Sequence, residues 1–148
     1  MDVLEYMPIR DLDLYVKGDL EAFRQSFPGL SVPGPLRSPM IQELKALETT
    51  EYCAAYTAVL DEEPIGFVIV EMRAFYSIPQ GYVSSIYVDK KHRRMGVSSQ
   101  LLERAERWAK SKGAYSLTLD VSLVNEKALS AYEASGYTET RVQMEKII

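Results

Sequence analysis

The chain has 148 residues, 47% of them apolar and 26% charged, with a formal net charge of −4. That length suits one domain with its own core, spanning residues 1–148, and the composition excludes a collagen, a coiled coil or a long disordered tract. The acidic balance argues against a general nucleic-acid binder.

Cys53 is the only cysteine and His92 the only histidine. An intrachain disulfide is therefore excluded and a zinc site is not expected. The stretch after Met1 carries Asp2 and Glu5 and no apolar h-region, so no signal peptide is expected. No apolar run reaches membrane-spanning length. The expectation is a soluble, cytoplasmic domain with no membrane partner.

In chain order, residues 3–9 are predicted as a short strand. Asp11 is placed to cap a helix running to about Phe27, on which Leu12, Val16, Leu20, Phe23 and Phe27 recur at helical spacing. Gly18 weakens its middle. The Pro- and Gly-rich run at 28–39 reads as a loop, and a short helix is predicted over 40–47. Two strands follow, Cys53–Leu60 and Ile65–Met72, joined by a turn at 61–64. The second is almost continuously apolar, as expected of a strand buried on both faces. A loop at 75–80 precedes a strand at Gly81–Val88. Residues 97–111 form a helix with Val97, Leu101, Ala105, Trp108 and Ala109 on one face, ended by Gly113. Residues 115–121 alternate as a strand. A helix over 125–134 stops at Gly136, and residues 137–148 read as a terminal strand, bent or split. Antiparallel neighbours come first and strand–helix–strand units later, which predicts a mixed α/β sheet with helices on both faces.

The run from Lys90 to Leu102 holds the densest chemistry. Lys90, Lys91, His92, Arg93 and Arg94 lead through Gly96 into Ser98 and Ser99 at a helix start. Free N–H groups and the positive dipole end favour an anion there. Gly96 admits close backbone approach, and the arginines add charge and paired donors. A pyrophosphate fits this set as well as a solvated basic loop does. The spacing is not that of a P-loop, and a nucleic-acid patch is poorly supported.

Residues 88–102 resemble the acyl-CoA-binding motif of the GNAT acetyltransferases, R-x-x-G-x-[GA] opening a helix after an apolar strand. Asn125 to Tyr137 resembles that family's second signature, N-x-x-A-x-x-x-Y-x-x-x-G-[FY]. The specific motifs lie within residues 82–137. The resemblance implies an α/β GNAT fold: a mixed, mostly antiparallel sheet of six to seven strands, helices on both faces, and fourth and fifth strands that splay to admit acetyl-CoA. It implies that Ile86, Tyr87 and Val88 offer backbone groups to the pantetheine arm. It also implies that Arg93, Arg94, Gly96, Val97, Ser98 and Ser99 wrap the pyrophosphate and that Asn125 contacts the cofactor arm. Ser98 stands where glycine or alanine is usual, Lys90 replaces a common proline, and the fourth strand lacks the carboxylate that many members place there.

The reaction so implied is attack of a neutral amine on the acetyl-CoA thioester. The oxyanion needs a donor, for which the Val88 N–H is the candidate. On spacing alone Tyr132 is a core tyrosine beside Ala128 and Leu129; the motif places it near the thioester sulfur, to protonate the leaving thiolate. Asp120 is the leading base, with the role of a strand-ending aspartate equally open. Glu71, Tyr82 and a water chain are weaker alternatives. Cys53 reads as a small core residue rather than a nucleophile. For the acceptor, the loops at 28–39 and 75–80, with Tyr76 and Tyr82, are candidate walls, and Glu43, Glu48 and Glu51 could attract a cation. The acceptor remains open among a protein N-terminus, a lysine and a small-molecule amine. An enzyme is expected, with a homodimer left open as its assembly, the alternative being a non-catalytic acyl-CoA-binding module of the same fold.

Overall fold

The computed structural model describes residues 2–5, 12–31, 46–47 and 50–148. The predicted cap Asp11, most of the 28–39 loop, most of the 40–47 helix, and Glu43 and Glu48 lie outside these residues; Ala46 and Leu47 are helical.

Five strands form one sheet in the order β1-β2-β3-β4-β5. They are β1 (Asp2–Glu5), β2 (Cys53–Leu60), β3 (Glu63–Phe75), β4 (Ile78–Val88) and β5 (Ser116–Leu119). The first four pair antiparallel and β5 pairs parallel to β4. The helices are α1 (Leu12–Ser26), α2 (Val97–Ser111) and α3 (Glu126–Ala134).

The apolar run of β3 is buried on both faces, as its sequence implies. Val68 and Val70 join Val97, Leu101, Leu102 and Ala105 of α2 in one core. Phe67 and Ile69 join Leu14 and Tyr15 of α1, with Tyr87, in the other. Burying one such side chain contributes about 1.5–3 kcal/mol, so this central strand anchors both layers.

Two glycines are explained by close packing rather than by turns. A Cβ at Gly18 would lie 3.0 Å from the Phe67 ring and from Tyr87 Cβ, so the residue that weakens α1 as an isolated helix lets it settle on the sheet. A Cβ at Gly81 would lie 2.6 Å from Ala109 Cβ and 2.9 Å from a Leu117 methyl. Gly81→Ala is therefore expected to lower stability by about 1–3 kcal/mol through overpacking of α2 on β4, read as a lower denaturant midpoint with unchanged slope.

Three expectations are corrected. The sheet has five strands among the described residues, not six to seven. The loop at 75–80 is a tight hairpin: Phe75 pairs with Ile78, and Tyr76 and Ser77 both take left-handed φ, 50° and 66°. β4 therefore starts at Ile78 rather than Gly81. The terminal strand is absent: residues 138–148 are exposed and adopt no regular structure. Their one recorded anchor is Arg141, whose guanidinium lies 3.6 Å from the Phe75 ring centroid. No helix among the described residues is long and apolar enough to cross a membrane.

Candidate active site

The β4–β5 ladder runs from Gln80–Ser116 to Val83–Leu119 and stops. β4 continues alone to Val88. A bulge makes the break: Val70 pairs with Val83 and Ile69 with Ser85, leaving Ser84 extra. Bulges bend a strand and sharpen its twist, which carries β4 away from β5. The stretch of β4 beyond Val83 that has no β5 partner, with Asp120 at its start, is the β4–β5 gap.

Hydrogen-bond alternation fixes which edge of β4 faces the gap. The Asp89 N–H donates to the Ile65 carbonyl at 2.8 Å. Val88, paired with Gly66, is thus a non-bonded position towards β3, and its N–H points to the β5 side. Ile86, two residues back, shares that orientation, whereas Tyr87 presents its backbone to β3. Tyr87 instead contributes its ring to the core beside Phe67.

After Val88, Lys90–His92 make one 3₁₀ turn, and Arg94 and Gly96 both take left-handed φ, 65° and 76°. The chain then enters α2 with Gly96 as N-cap. Gln100 N–H is the first to donate within the helix, to Gly96 O at 3.2 Å. The N–H groups of Val97, Ser98 and Ser99 precede it and have no acceptor in the helix. A Cβ built on Gly96 meets nothing within 4 Å, so the space above the turn is open. Ser98, Ser99 and Arg94 are exposed beside it, whereas the Val97 side chain is buried in the core. This is a concave set of donors at a positive helix end, and it fits a pyrophosphate.

Arg93 is exposed, yet its polar atoms are engaged within the chain. Its Nε donates to the Val88 carbonyl at 2.9 Å, its Nη2 meets Glu21 of α1 at 2.7 Å, and its guanidinium lies 5.7 Å from the Tyr87 ring centroid. It braces the turn against α1 and β4. Asn125 is also engaged. Its Oδ1 accepts from the Ala128 N–H at 3.2 Å, capping α3, and its Nδ2 donates to Gln25 of α1 at 3.3 Å.

Tyr132 packs on the α2 side of the sheet, with Ile86 and Leu119 against the same core. Its ring meets Tyr137 edge-on, 6.1 Å between centroids. Burial pushes its hydroxyl above the usual tyrosine range, and the hydroxyl has no hydrogen-bond partner among the described residues.

Asp120 lies at the end of β5, exposed, on the opposite face. Tyr82 Oη donates to its Oδ2 at 2.5 Å. Desolvation and then this bond push Tyr82 up to about 12, so the phenol stays protonated through the neutral range. Thr118, Tyr82, Glu71 and Cys53 face one another across four strands. Glu71 binds Arg73 at 2.7 Å, and the Arg73 guanidinium lies 3.6 Å from the Tyr82 ring centroid. A carboxylate absent from β4 itself is thus supplied by β3, directly beside Tyr82. Cys53 is half-buried, its Sγ 4.0 Å from Glu71 Oε2, and burial followed by that carboxylate raises its thiol. A raised thiol is a poor nucleophile. No cluster of metal-ligating side chains occurs among the described residues.

Sequence reasoning singled out the turn, Tyr132 and Asp120 as candidates. It missed Arg73, whose relation to Tyr82 depends on the β3–β4 pairing. It also missed Glu21 and Gln25, which reach the gap from a helix whose only sequence signal is apolar spacing.

Residues 20–137 match the Acetyltransferase (GNAT) family. An aminoglycoside N(6')-acetyltransferase type 1 from Acinetobacter haemolyticus is 30% identical over 105 residues, 68% of this chain and 72% of the relative. The crystal structure of an apo aminoglycoside antibiotic 6'-N-acetyltransferase from the same species superposes with a TM-score of 0.77 at 25% identity, covering 100% of this chain and 99% of the other. A further aminoglycoside 6'-N-acetyltransferase, solved with a CoA-containing bisubstrate analogue, shares the fold with a TM-score of 0.77 at 23% identity, covering 99% and 97%. The chain belongs to the GNAT acetyltransferase family and is an acyltransferase with acetyl-CoA as its co-substrate.

Proposed function

We propose that this enzyme transfers the acetyl group of acetyl-CoA to a primary amine of a cationic small molecule of the aminoglycoside kind. The observation that carries the reading is the Glu71–Tyr82–Asp120 row at the mouth of the β4–β5 gap. Two carboxylates flank an aromatic face beside the place where the sheet opens. That is an environment for an ammonium group, and relatives named for aminoglycoside acetylation agree with it.

In this reading the N–H groups of Val97, Ser98 and Ser99, with Gly96 and Arg94, hold the pyrophosphate. Ile86 pairs with a pantetheine amide along the open edge of β4, and the Val88 N–H is kept for the thioester. Asp120 takes a proton from the acceptor ammonium, directly or through a water. The neutral amine then attacks the thioester carbonyl, whose oxygen accepts from the Val88 N–H. The C–S bond breaks, Tyr132 gives its proton to the departing sulfur, and the second proton of the amine nitrogen passes through water to restore the Tyr132 phenol. Arg93 and Asn125 position these elements from behind.

Free thiol release from acetyl-CoA, measured with a neamine-type aminoglycoside, a peptide N-terminus and a lysine peptide, tests the proposal. The aminoglycoside is expected to give the highest kcat/KM, by at least about tenfold, as one extra desolvated ammonium contact of 1.4 kcal/mol would. Preference for either peptide overturns the substrate class. Acetyl-CoA binding with transfer to none of the three leaves a non-catalytic acyl-CoA-binding module.

A further inference from the structure

Arg73 occupies an unusual position for an arginine on a surface strand. It stands two residues from Glu71, so both side chains leave the same face of β3. Its Nε and Nη2 both reach Glu71 Oε1 at 2.7 Å. Its guanidinium carbon lies 3.6 Å from the centre of the Tyr82 ring, well within cation–π range. Tyr82 in turn donates to Asp120 at 2.5 Å. The cation thus sits over an aromatic face, with one carboxylate bound to it and a second bound to the ring's hydroxyl.

Those features are also what an acceptor ammonium requires. Two acidic groups, Glu71 of β3 and Asp120 just beyond β5, flank Tyr82, and among the described residues no other cation lies against them. The Arg73 side chain is 56% exposed, and Glu71 is 29% exposed. An ion pair that open to water is weak, so the guanidinium can be lifted from its place. No backbone constraint holds it there.

We propose that Arg73 is a specificity-determining residue that fills the acceptor's ammonium subsite from within, so that an acceptor amine must displace its guanidinium to reach the Tyr82 face. This rests on the acceptor reading given above. It explains how a site with two carboxylates avoids a bare negative pocket in the absence of acceptor. It also favours acceptors with several ammonium groups over those with one, because only a strong cation competes with a resident guanidinium.

The test is steady-state acetyl transfer by the full chain, comparing wild type, Arg73→Ala and Arg73→Gln with a neamine-type aminoglycoside and with a simple monoamine such as 2-aminoethanol. The expected result is an acceptor KM lowered about three- to thirtyfold in both variants, the combined scale of an exposed ion pair and a cation–π contact. The gain should be larger for the monoamine, and the KM for acetyl-CoA should not change. Methylguanidinium should then inhibit both variants competitively against the acceptor and leave wild type unaffected, because it refills the vacated place. A merely structural arginine would give no such pattern. An unchanged acceptor KM, or no competition by methylguanidinium, overturns the proposal. A raised KM also overturns it and makes Arg73 a contact for an anionic group of the acceptor. Should wild type itself transfer to neither amine while binding acetyl-CoA, the acceptor reading is what fails, and the role of Arg73 falls with it.

Discussion

Tyr132→Phe is expected to lower kcat by about a hundred- to ten-thousandfold, the range spanned by loss of a positioned general acid, while the dissociation constant for acetyl-CoA stays within about twofold. The ring is what packs: it meets Tyr137 edge-on and sits against the core that α2 shares with the sheet. Phenylalanine keeps that packing, so the variant should fold and bind. The hydroxyl is what is lost. It has no partner among the described residues, and burial raises its pKa above the ordinary value of about 10. A raised phenol holds its proton until the pH passes that value, so the acid is present across the neutral range. The sign is definite: any alkaline fall in kcat caused by Tyr132 must lie above about pH 10. Calorimetric titration of acetyl-CoA beside single-turnover kinetics checks both halves. An unchanged kcat would remove Tyr132 from the chemistry and leave it a core residue.

The second large effect is expected at Gly96. Its φ of 76° strains any other residue, at a cost of about 1–2 kcal/mol. A carboxylate there would also compete for the donors proposed to hold the pyrophosphate, gaining about 0.3–1 kcal/mol from the positive helix end itself, and would repel the diphosphate. Gly96→Glu should therefore weaken acetyl-CoA binding at least about tenfold. A Cβ at this point meets nothing within 4 Å, so the fold has room for the substitution. The readout is thermal stability at a fixed acetyl-CoA concentration. At about 100 times the dissociation constant the ligand adds about 2.7 kcal/mol, and a tenfold loss of affinity leaves about 1.4. Gly96→Ala separates strain from charge. An equal ligand-induced shift in wild type and Gly96→Glu would move the pyrophosphate away from this turn. Arg93→Ala is the poorer probe, because removing that side chain also breaks its bonds to Val88 and Glu21.

Helix α2 shows what made parts of this chain readable. Its bounds, Val97–Ser111, coincide with the sequence-based ones, because a strong 3.6-residue period runs between Gly96 and Gly113, both with left-handed φ. The β3–β4 hairpin was not readable for the complementary reason. Its turn is Tyr76-Ser77, and neither residue announces positive φ as Asn-Gly would. The terminal strand failed differently. Val142, Met144, Ile147 and Ile148 have strand-like composition, yet all are exposed, and β-propensity has little force without a pleated neighbour to pack on. At the candidate site, the basic turn, Asn125 and Tyr132 were visible as motif positions. Arg93 and Asn125 each give one polar group to α1, a helix about 70 and 100 residues away in sequence, a pairing no local pattern records.

Those two bonds have a mechanical consequence. Glu21 and Gln25 lie one helical turn apart on α1, about 6 Å along its axis. The first grips the segment leaving β4 through Arg93, and the second grips the segment leaving β5 through Asn125. A single turn of helix thus works as a gauge block between the two lips of the opening. Its hydrogen-bonded backbone is far stiffer than any loop, so the two contacts bias the lips towards one separation, each through a side chain open to water. The chain can then leave five residues of β4 without a β5 partner and still keep the sheet from zipping shut.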